Sequence, residues 1–243
     1  MPRLLPRRIT VVVTPTPALD AAASRAALLT AATRVCGVAP GSLRLRHDHL
    51  GRPLLSGLGE GLWVSLSHGR GLAALALSDV GPVGVDVEVP RRVAAEQLAA
   101  RWFPAAEAAW VRARPEAERD LAFFWLWTHK EAMGKAYGTG LDSGGLERPG
   151  PLPPRWPPAP GRRLRPLPAP GAPPHAGTEP PVRHSVTAPH AWHSVTAPFA
   201  GPGGVLAVAA LGPRARGAAV DVRLCPAPLR RPEHLTSRRE ATT

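Results

Sequence analysis

The segment at residues 121–137 must be enclosed on nearly all sides by the rest of the fold. Its sequence, LAFFWLWTHKEAMGKAY, predicts a helix, and the four aromatic residues between positions 123 and 127 fall on different sides of it. Only two of the chain's 30 Lys and Arg residues are lysines, and both, Lys130 and Lys135, lie in this segment. A fold that surrounds this helix therefore surrounds two ammonium groups and the carboxylate of Glu131.

These three charged residues indicate chemistry in the interior of the protein. Lys is a compact ammonium whose proton can be shared when it is buried, whereas Arg is a rigid, always charged fork. Glu131 and Lys135 share one face of the predicted helix, but an exposed pair at this spacing contributes only ~0.2–0.5 kcal/mol. So small a contribution does not explain inward charges on such an aromatic helix. We expect a metal ion beside the carboxylate and a phosphate beside the ammonium; the alternative is a helix that happens to carry lysine.

Two more carboxylates lie together on a strand predicted at residues 83–89. Strict alternation in GPVGVDVEVP sends the valines to one face and Gly84, Asp86 and Glu88 to the other. Acids that stand ~6.6–6.8 Å apart along a strand repel each other unless they are solvated, protonated or bridged by a cation. A half-exposed strand with a polar side is the alternative. Gly84 favours a functional site, because a glycine leaves room for a close approach to the strand.

A third polar group follows another predicted strand, in the sequence WVSLSHGRG at residues 63–71. Ser67, His68 and Arg70 offer hydroxyl, imidazole and guanidinium donors next to glycines. Such a donor set suits a phosphate, although a surface turn with an incidental histidine explains this piece in isolation. Together with the carboxylates and lysines, it predicts a Mg²⁺-assisted reaction at a phosphate or pyrophosphate. The commoner phosphoryl-transfer motifs, GxxxxGK[ST], GxGxxG, HRD and DFG, are absent from the sequence.

The pattern of apolar residues and turn residues predicts a mixture of strands and helices. We expect strands at residues 9–13, 42–46, 52–55, 62–67, 72–78, 83–89, 204–211 and 218–224, and helices at residues 18–35, 94–102, 105–113 and 116–137. Residues 149–181 contain 14 of the 31 prolines, which predicts a disordered insertion over residues 149–183 without helix or central strand. The hexapeptide HSVTAP occurs at residues 184–189 and 193–198, and we interpret it as a duplication within a loop. Residues 226–243 are expected to form a mobile tail.

Composition narrows the class of protein further. The formal net charge is +12, but much of the excess lies in the Pro-rich segment and the tail, where solvated charge is common. No basic patch is interleaved with aromatic residues, so nucleic-acid binding rests on charge alone. The two cysteines lack any metal-ligand or disulfide spacing. No apolar stretch is long enough to cross a bilayer, and we expect a cytoplasmic protein.

The same residues closely resemble those of the 4′-phosphopantetheinyl transferases, in particular the Sfp-type branch. That family combines a GxD-x-E strand with W(S/T/A)xKE(A/S)xxK some forty residues later, and here the two motifs are VGVDVE and WTHKEAMGKAYGTGL. The family's upstream GRP and Ser-His elements match Gly51-Arg52-Pro53 and Ser67-His68. Its RFF-x-x-x-E element is similar to residues 101–107. The chain departs from the pattern at Gly69 and Ser65, where the family has serine and asparagine.

The resemblance implies an α+β fold of two similar lobes, a pseudo-dimer within one chain, each with a long helix on a small antiparallel sheet. The N-terminal lobe would be residues 1–80 and the C-terminal lobe residues 81–243. The implied reaction transfers 4′-phosphopantetheine from coenzyme A to a serine of an acyl or peptidyl carrier protein and releases adenosine 3′,5′-bisphosphate. A monomeric enzyme of secondary metabolism, such as polyketide or non-ribosomal peptide synthesis, is expected.

The resemblance also implies roles for individual residues. Asp86, Glu88 and Glu131 would bind Mg²⁺, with Glu131 as the base and Glu107 as the second candidate for that role. Lys135 would neutralise the leaving phosphate, and Lys130 would contact phosphate or stabilise the surroundings of Glu131. The coenzyme A contacts would come from residues of both parts of the chain: Arg52, Ser67, His68, Arg70, Asp86 and Lys135. Arg25 and the pair Arg7 and Arg8 are candidates for its 3′-phosphate.

Two other classes of function remain open at this point. A relative that has lost turnover would serve as a binding or scaffold protein, which the intact set of carboxylates and lysines argues against. A basic nucleic-acid-binding protein is the weaker alternative, because it rests on net charge alone. A test for transfer of phosphopantetheine to a carrier protein would distinguish the enzyme from both of these alternatives.

Overall fold

A computed structural model describes residues 8–16, 21–49, 51–57, 62–141, 144–150, 152–153, 156, 165–166, 193–199, 204–215 and 217–225. Within these residues the chain forms four α-helices, ten β-strands and one 3₁₀ turn at residues 213–215. The elements are, in chain order, β1 (Arg8–Pro15), α1 (Ala21–Cys36), β2 (Arg44–His47), β3 (Pro53–Ser56), β4 (Trp63–Gly69), β5 (Leu72–Ser78), β6 (Val83–Glu88), α2 (Ala95–Trp102), α3 (Ala105–Arg112), α4 (Glu116–Tyr137), β7 (Arg165–Pro166), β8 (His193–Phe199), β9 (Gly204–Ala210) and β10 (Ala219–Leu224).

The first sheet has the strand order β10-β1-β5-β4 and forms one wall of the core. Its central strands β1 and β5 are apolar and buried, as expected for strands covered on both faces. Helix α1 packs on these two strands and covers one face. A separate hairpin of β2 and β3 lies beside β4.

The second sheet has the strand order β6-β9-β8-β7, and α4 packs across β6 and β9. This contact is unusually close at Gly84, where a Cβ atom would lie 1.8 Å from the carbonyl oxygen of Ala132. The close approach that Gly84 was predicted to permit is therefore made by the backbone of α4. It brings β6, with Asp86 and Glu88, directly against the helix that carries Glu131 and Lys135.

The two sheets meet where β4 and β6, an edge strand of each, lie side by side. Serine hydroxyls connect these edges: the Val85 amide donates to Ser65 Oγ at 3.1 Å, and the Val87 amide donates to Ser67 Oγ at 3.3 Å. Side chains thus satisfy backbone donors that an edge strand would otherwise leave unpaired. The contact places the end of β4 next to the carboxylates of β6.

Helices α2 and α3 enclose the aromatic half of α4, which confirms the predicted burial of that helix. Phe123, Phe124 and Trp125 are at most 5% exposed. The rings of Phe103 and Phe123 stack at a centroid distance of 5.2 Å. Helix α4 ends at Gly138, whose φ of 72° is the left-handed conformation typical of a helix C-cap.

The structure corrects three expectations. The second HSVTAP copy forms strand β8 rather than a loop, while the first copy lies outside the described residues. Pro166, inside the predicted insertion, belongs to the two-residue edge strand β7, a position that tolerates proline. The first sheet is mixed rather than antiparallel, because β10 pairs in parallel with β1. Most of the predicted insertion and the whole predicted tail lie outside the described residues.

The predicted element order is otherwise confirmed, and the fold is α+β with separate sheets rather than one continuous sheet. Strand β10, which the predicted division at residue 80 assigns to the C-terminal lobe, completes the sheet of the N-terminal half. The pairing of two similar lobes stays a prediction. In the described part of the chain, no helix is both long enough and apolar enough to cross a bilayer.

Candidate active site

A cleft of about 460 Å³ opens between α1, the β2–β3 hairpin, β4 and the C-terminal end of α4. One part of its wall is apolar and another part carries donors. Five of the predicted residues line it, from four different elements or turns: Arg25, Arg52, Ser67, His68 and Lys135. The cleft therefore brings the Ser-His pair of β4 and the second lysine of α4 to one place, although the two are far apart in the sequence.

Asp86 is the centre of the polar contacts next to this cleft. Its Oδ1 accepts a hydrogen bond from Ser67 Oγ at 2.6 Å and from Lys135 Nζ at 2.7 Å. Lys135 Nζ also donates to the carbonyl oxygen of Val85 at 3.2 Å. The other oxygen, Asp86 Oδ2, is buried and has no hydrogen-bond partner in the described part of the chain. A buried carboxylate oxygen without a donor is a strong candidate for a cation ligand.

Glu88 and Glu131 are both affected by the negative charge of Asp86. Burial raises the pKa of Glu131 above its ordinary value of 4.5; Lys135 lowers it, and the charges of Asp86 and Glu88 raise it further. Burial also raises the pKa of Glu88, and the charge of Asp86 adds to this effect, against Arg91 and Lys135. Like charges at these distances repel each other, and a cation between them would relieve the repulsion.

The predicted three-carboxylate metal site is not assembled in these conformations. Within the described ranges, no three His, Cys, Asp or Glu side chains stand close enough together to hold a metal ion. The reason is visible in the contacts, since Glu88 pairs with Arg91 at 3.0 Å and Asp86 with Lys135. The charge and the donor set fit a hard cation such as Mg²⁺, which takes carboxylate oxygens, but the carboxylates have cationic side chains as their present partners.

The predicted phosphate donors divide into two groups. Arg52 and His68 are exposed side chains on the wall of the cleft, and Arg52 Nη2 donates to the carbonyl oxygen of Tyr137 at 3.4 Å. Arg70 is exposed but does not line the cleft. Ser67 is 5% exposed and directs its hydroxyl to Asp86.

The candidates for the 3′-phosphate also separate. Arg25 of α1 lines the cleft. Arg8 instead pairs with Asp221 of β10 at 3.6 Å, and Arg7 lies outside the described residues. Of the two arginines that the structure describes, Arg25 is the one that the fold brings to the cleft.

Lys130 and Glu107 lie in the interior instead of the cleft. Their side chains are 1% and 3% exposed and pair at 2.8 Å, joining α4 to α3. Lys130 Nζ also donates to the carbonyl oxygen of Arg148 at 2.6 Å, and the Gly150 amide donates to Glu107 Oε1 at 2.5 Å. The structure thus gives both residues a set of interior partners that ties the loop after α4 to the helices. The roles in chemistry predicted for them have no contact with the cleft to support them.

Sequence reasoning missed several contributors to the site. Ser65 was treated only as a departure from a motif, although its hydroxyl connects the two sheets. His47 lines the cleft from β2, as does Leu45 two residues earlier on the same side of the strand. This two-residue spacing was the sequence signal that could have identified His47. Gly69 is explained by packing, because a Cβ atom there would lie 2.7 Å from the carbonyl oxygen of Val87. A serine at this position would collide with β6.

This arrangement of a carboxylate–lysine helix against a carboxylate strand offers groups that suit a phosphate ester and a divalent cation. Comparison with known families adds a second, independent finding. Residues 82–153 match the family model described as the 4′-phosphopantetheinyl transferase superfamily. This middle part of the chain is therefore similar to that superfamily, and the matched residues include Asp86, Glu88, Glu131 and Lys135.

Curated proteins that are similar to this chain are also named 4′-phosphopantetheinyl transferases. The chain is 35% identical over 108 residues to 4′-phosphopantetheinyl transferase HetI of Nostoc sp., an alignment that covers 43% of this chain and 46% of the relative. It is 47% identical over 91 residues to 4′-phosphopantetheinyl transferase AcpT of Salmonella typhi, covering 36% and 46%. For AcpT of Escherichia coli strain K12 the values are 43% over 79 residues, with 32% and 40% covered. The aligned part spans about half the length of these relatives.

Proposed function

We propose that this protein transfers the 4′-phosphopantetheine group of coenzyme A to a serine of an acyl or peptidyl carrier protein and releases adenosine 3′,5′-bisphosphate. The observation that carries the proposal is the contact of 2.7 Å between Lys135 and Asp86. It lies beside a cleft large enough for a ligand and within the residues that match the superfamily. An ammonium and a carboxylate at one point suit a pyrophosphate and its cation.

The cation in this proposal is Mg²⁺, held by Asp86, Glu88 and Glu131. Two observations support this set: Asp86 Oδ2 has no hydrogen-bond partner among the described residues, and the charges of Asp86 and Glu88 raise the pKa of Glu131. Binding would require Glu88 to exchange Arg91 for the ion, because the two side chains are paired at 3.0 Å. When bound, Mg²⁺ neutralises charge on the pyrophosphate of coenzyme A and orients it.

The nucleotide end of coenzyme A is proposed to occupy the cleft. Arg25, Arg52 and His68 offer cationic or polar groups on its wall, and Arg fits phosphate with a planar pair of donors. The apolar part of the wall suits the faces of an adenine base. Ser67 and Arg70 stay candidates for coenzyme A contacts, although Ser67 donates to Asp86 in this structure.

The residues of the chain divide the remaining work. Glu131 accepts the proton of the carrier serine hydroxyl as the oxygen attacks the β-phosphorus, and the burial that raises its pKa makes it a stronger base near neutral pH. Lys135, one turn further along the same face, neutralises charge on the leaving adenosine bisphosphate. Positioning and charge neutralisation account for most of the rate enhancement in reactions of this type.

The setting of the reaction is also a proposal. We infer a monomeric cytoplasmic enzyme of secondary metabolism that acts on a carrier protein of a polyketide or non-ribosomal peptide synthase. The positive charge of the chain, +12 in all, supports an acidic protein partner, which it would attract through long-range electrostatics. The organisation into two similar lobes, with the reaction between them, belongs to the same proposal.

The deciding experiment is mass spectrometry of an apo carrier protein after incubation with this chain, coenzyme A and Mg²⁺. A mass increase of one phosphopantetheine group on the carrier serine is the expected result. Asp86→Ala is the matched negative control, and it should abolish the mass increase while circular dichroism shows an intact fold. A carrier protein that stays in its apo form with the unaltered chain would point to a binding or scaffold role instead.

A further inference from the structure

The pair of serines on β4 shows an asymmetry that the proposed function does not use. Ser65 and Ser67 lie two residues apart on the same side of an edge strand. Both hydroxyl oxygens accept a backbone amide of β6, that of Val85 at 3.1 Å and that of Val87 at 3.3 Å. Both side chains are buried, at 4% and 5% exposure. As connections between the two sheets they are therefore equivalent.

Within the described residues, only Ser67 makes a second contact, to the carboxylate of Asp86. A serine hydroxyl has one proton to donate and lone pairs to accept with. In Ser67 the lone pair is used by the Val87 amide, and the proton goes to Asp86 Oδ1 at 2.6 Å. The backbone of β6 thus fixes the hydroxyl, and the hydroxyl in turn fixes the carboxylate.

The same carboxylate oxygen also accepts from Lys135 Nζ at 2.7 Å. Two donors on Oδ1 hold the plane of the Asp86 carboxylate, and Oδ2 is left buried without a hydrogen-bond partner in the described ranges. Restricting the rotation of a ligand in advance reduces the conformational entropy that metal binding would otherwise remove.

We propose that Ser67 is a positioning residue for the divalent cation: it holds Asp86 through Oδ1 so that Oδ2 is the oxygen presented to the metal. This inference deepens the proposed function and rests on its assignment of Asp86 as a metal ligand. Ser67 acts on the cation through Asp86 and needs no contact of its own with substrate. Ser65, which has the same connection between sheets, has no part in this role.

The test is the affinity of the protein for Mn²⁺ alone, measured by the electron paramagnetic resonance signal of the free ion, without coenzyme A or carrier protein. Ser67→Ala is expected to weaken Mn²⁺ binding by about 10-fold or more, the range seen when a residue that orients a metal ligand is lost. Ser65→Ala is the matched control, because it removes an equivalent connection between the sheets. It should lower the stability similarly and leave the Mn²⁺ affinity close to that of the unaltered chain.

A second pair of variants guards against misfolding of Ser67→Ala. Ser67→Thr and Ser67→Val have nearly the same shape and differ in the hydroxyl, so Thr should retain the Mn²⁺ affinity that Val loses. The proposal would be overturned by any one of three results: equal Mn²⁺ affinities in the Thr and Val variants, equal losses of Mn²⁺ affinity in the two alanine variants, or no Mn²⁺ binding by the unaltered chain.

The outcome is separable from that of the proposed function. Mn²⁺ binding that depends on Ser67, in a chain that does not modify any carrier protein, would support the positioning role and refute the transferase. A chain that modifies carrier proteins, but whose Mn²⁺ affinity is unchanged by substitution of Ser67, would support the transferase and refute the positioning role.

Discussion

Helix α4 carries two lysine–carboxylate pairs that use the same chemical groups in opposite surroundings. Lys135 pairs with Asp86 at 2.7 Å beside the cleft, where the lysine side chain is 27% exposed. Lys130 pairs with Glu107 at 2.8 Å in the interior, where its side chain is 1% exposed. The two lysines are five positions apart on one helix. Their side chains therefore point in different directions from the helix axis, one into the interior and the other towards the cleft.

The additional partners of the two pairs explain why they differ in their capacity to bind a ligand. In the interior pair, Lys130 also binds the Arg148 carbonyl oxygen and lies 5.0 Å from the centre of the Phe103 ring, and Glu107 also accepts from the Gly150 amide. In the pair beside the cleft, Asp86 keeps one oxygen without a hydrogen-bond partner in the described chain. A fully paired group stabilises a structure, whereas a partly paired group can still bind a ligand.

The largest expected effect is on stability, at the interior pair. Lys130→Met leaves the Glu107 carboxylate buried without its counter-charge, and breaking a buried pair in this way costs about 3–5 kcal/mol in the free energy of unfolding. Urea unfolding followed by circular dichroism measures it. The double variant with Glu107→Gln should recover most of the loss, because glutamine keeps an acceptor for the Gly150 amide without a charge. A loss below about 1 kcal/mol, the level of an exposed pair, would erase the contrast with Lys135.

The second prediction concerns the pair beside the cleft. Lys135→Arg keeps the positive charge but changes its shape and removes an ammonium that can fit beside a phosphate. We expect turnover of the carrier protein to fall by ~10²-fold, at the lower end of the loss typical of general acid–base residues, with little change in urea stability. Near-normal turnover would mean that the site requires only charge at this position.

The third prediction uses pH to probe the interior half of α4. Burial, with a smaller effect of the charge on Lys130, lowers the pKa of His129 from 6.5 to about 3. A lowered pKa in the folded state means that the neutral form contributes stability above pH 6.5, and this stability is lost as the pH falls towards 3. Between about pH 7 and pH 5 the loss from this one group is about 2 kcal/mol.

Urea unfolding of the unaltered chain and of His129→Gln at these two pH values measures that loss. The variant should show a correspondingly smaller change of stability with pH, whatever its stability at neutral pH. Identical changes in the two proteins would place the histidine in a more hydrated environment than the structure shows.

The smallest expected effect lies on the cleft side, at Glu131. Its pKa in the folded protein is raised above 4.5, chiefly by burial. The stability that comes from its protonated form is complete below pH 4.5 and is lost as the pH rises through the folded pKa, so the ionised side chain destabilises the fold at neutral pH. Glu131→Gln should therefore raise Tm by a few degrees at about pH 7 and leave it unchanged at about pH 4. A lower Tm at neutral pH would show that Lys135 more than offsets the burial.

Most of the secondary structure, and the placement of the charged residues on their elements, could be predicted from the sequence. The aromatic run at residues 123–127 predicted a buried helix, and α4 is enclosed by α2 and α3 as expected. Alternation in VGVDVE placed Asp86 and Glu88 on one side of a strand, and the helical spacing placed Glu131 and Lys135 on one face. These are local periodicities of about 2 and 3.6 residues, which a sequence displays directly.

Strand pairing was harder to predict. Strand β8 escaped prediction because HSVTAP, with its proline, lacks the composition of a strand, and its pairing with β9 supplies the structure that propensity does not. The parallel pairing of β10 with β1 joins residues more than 200 positions apart. No local pattern encodes such a contact.

The sequence by itself determined which residues carry charge, which of them share a face of a helix or strand, and which superfamily the middle of the chain resembles. Only the tertiary structure decided that Lys130 pairs with Glu107 in the interior while Lys135 meets Asp86 beside the cleft, and that Ser67 holds one oxygen of Asp86. The reason is physical: periodicity specifies the direction of a side chain on its own element, but its burial and its partners depend on which element packs against it. For Lys135 and Asp86, Gly84 permits the contact, because it lets α4 lie directly on β6.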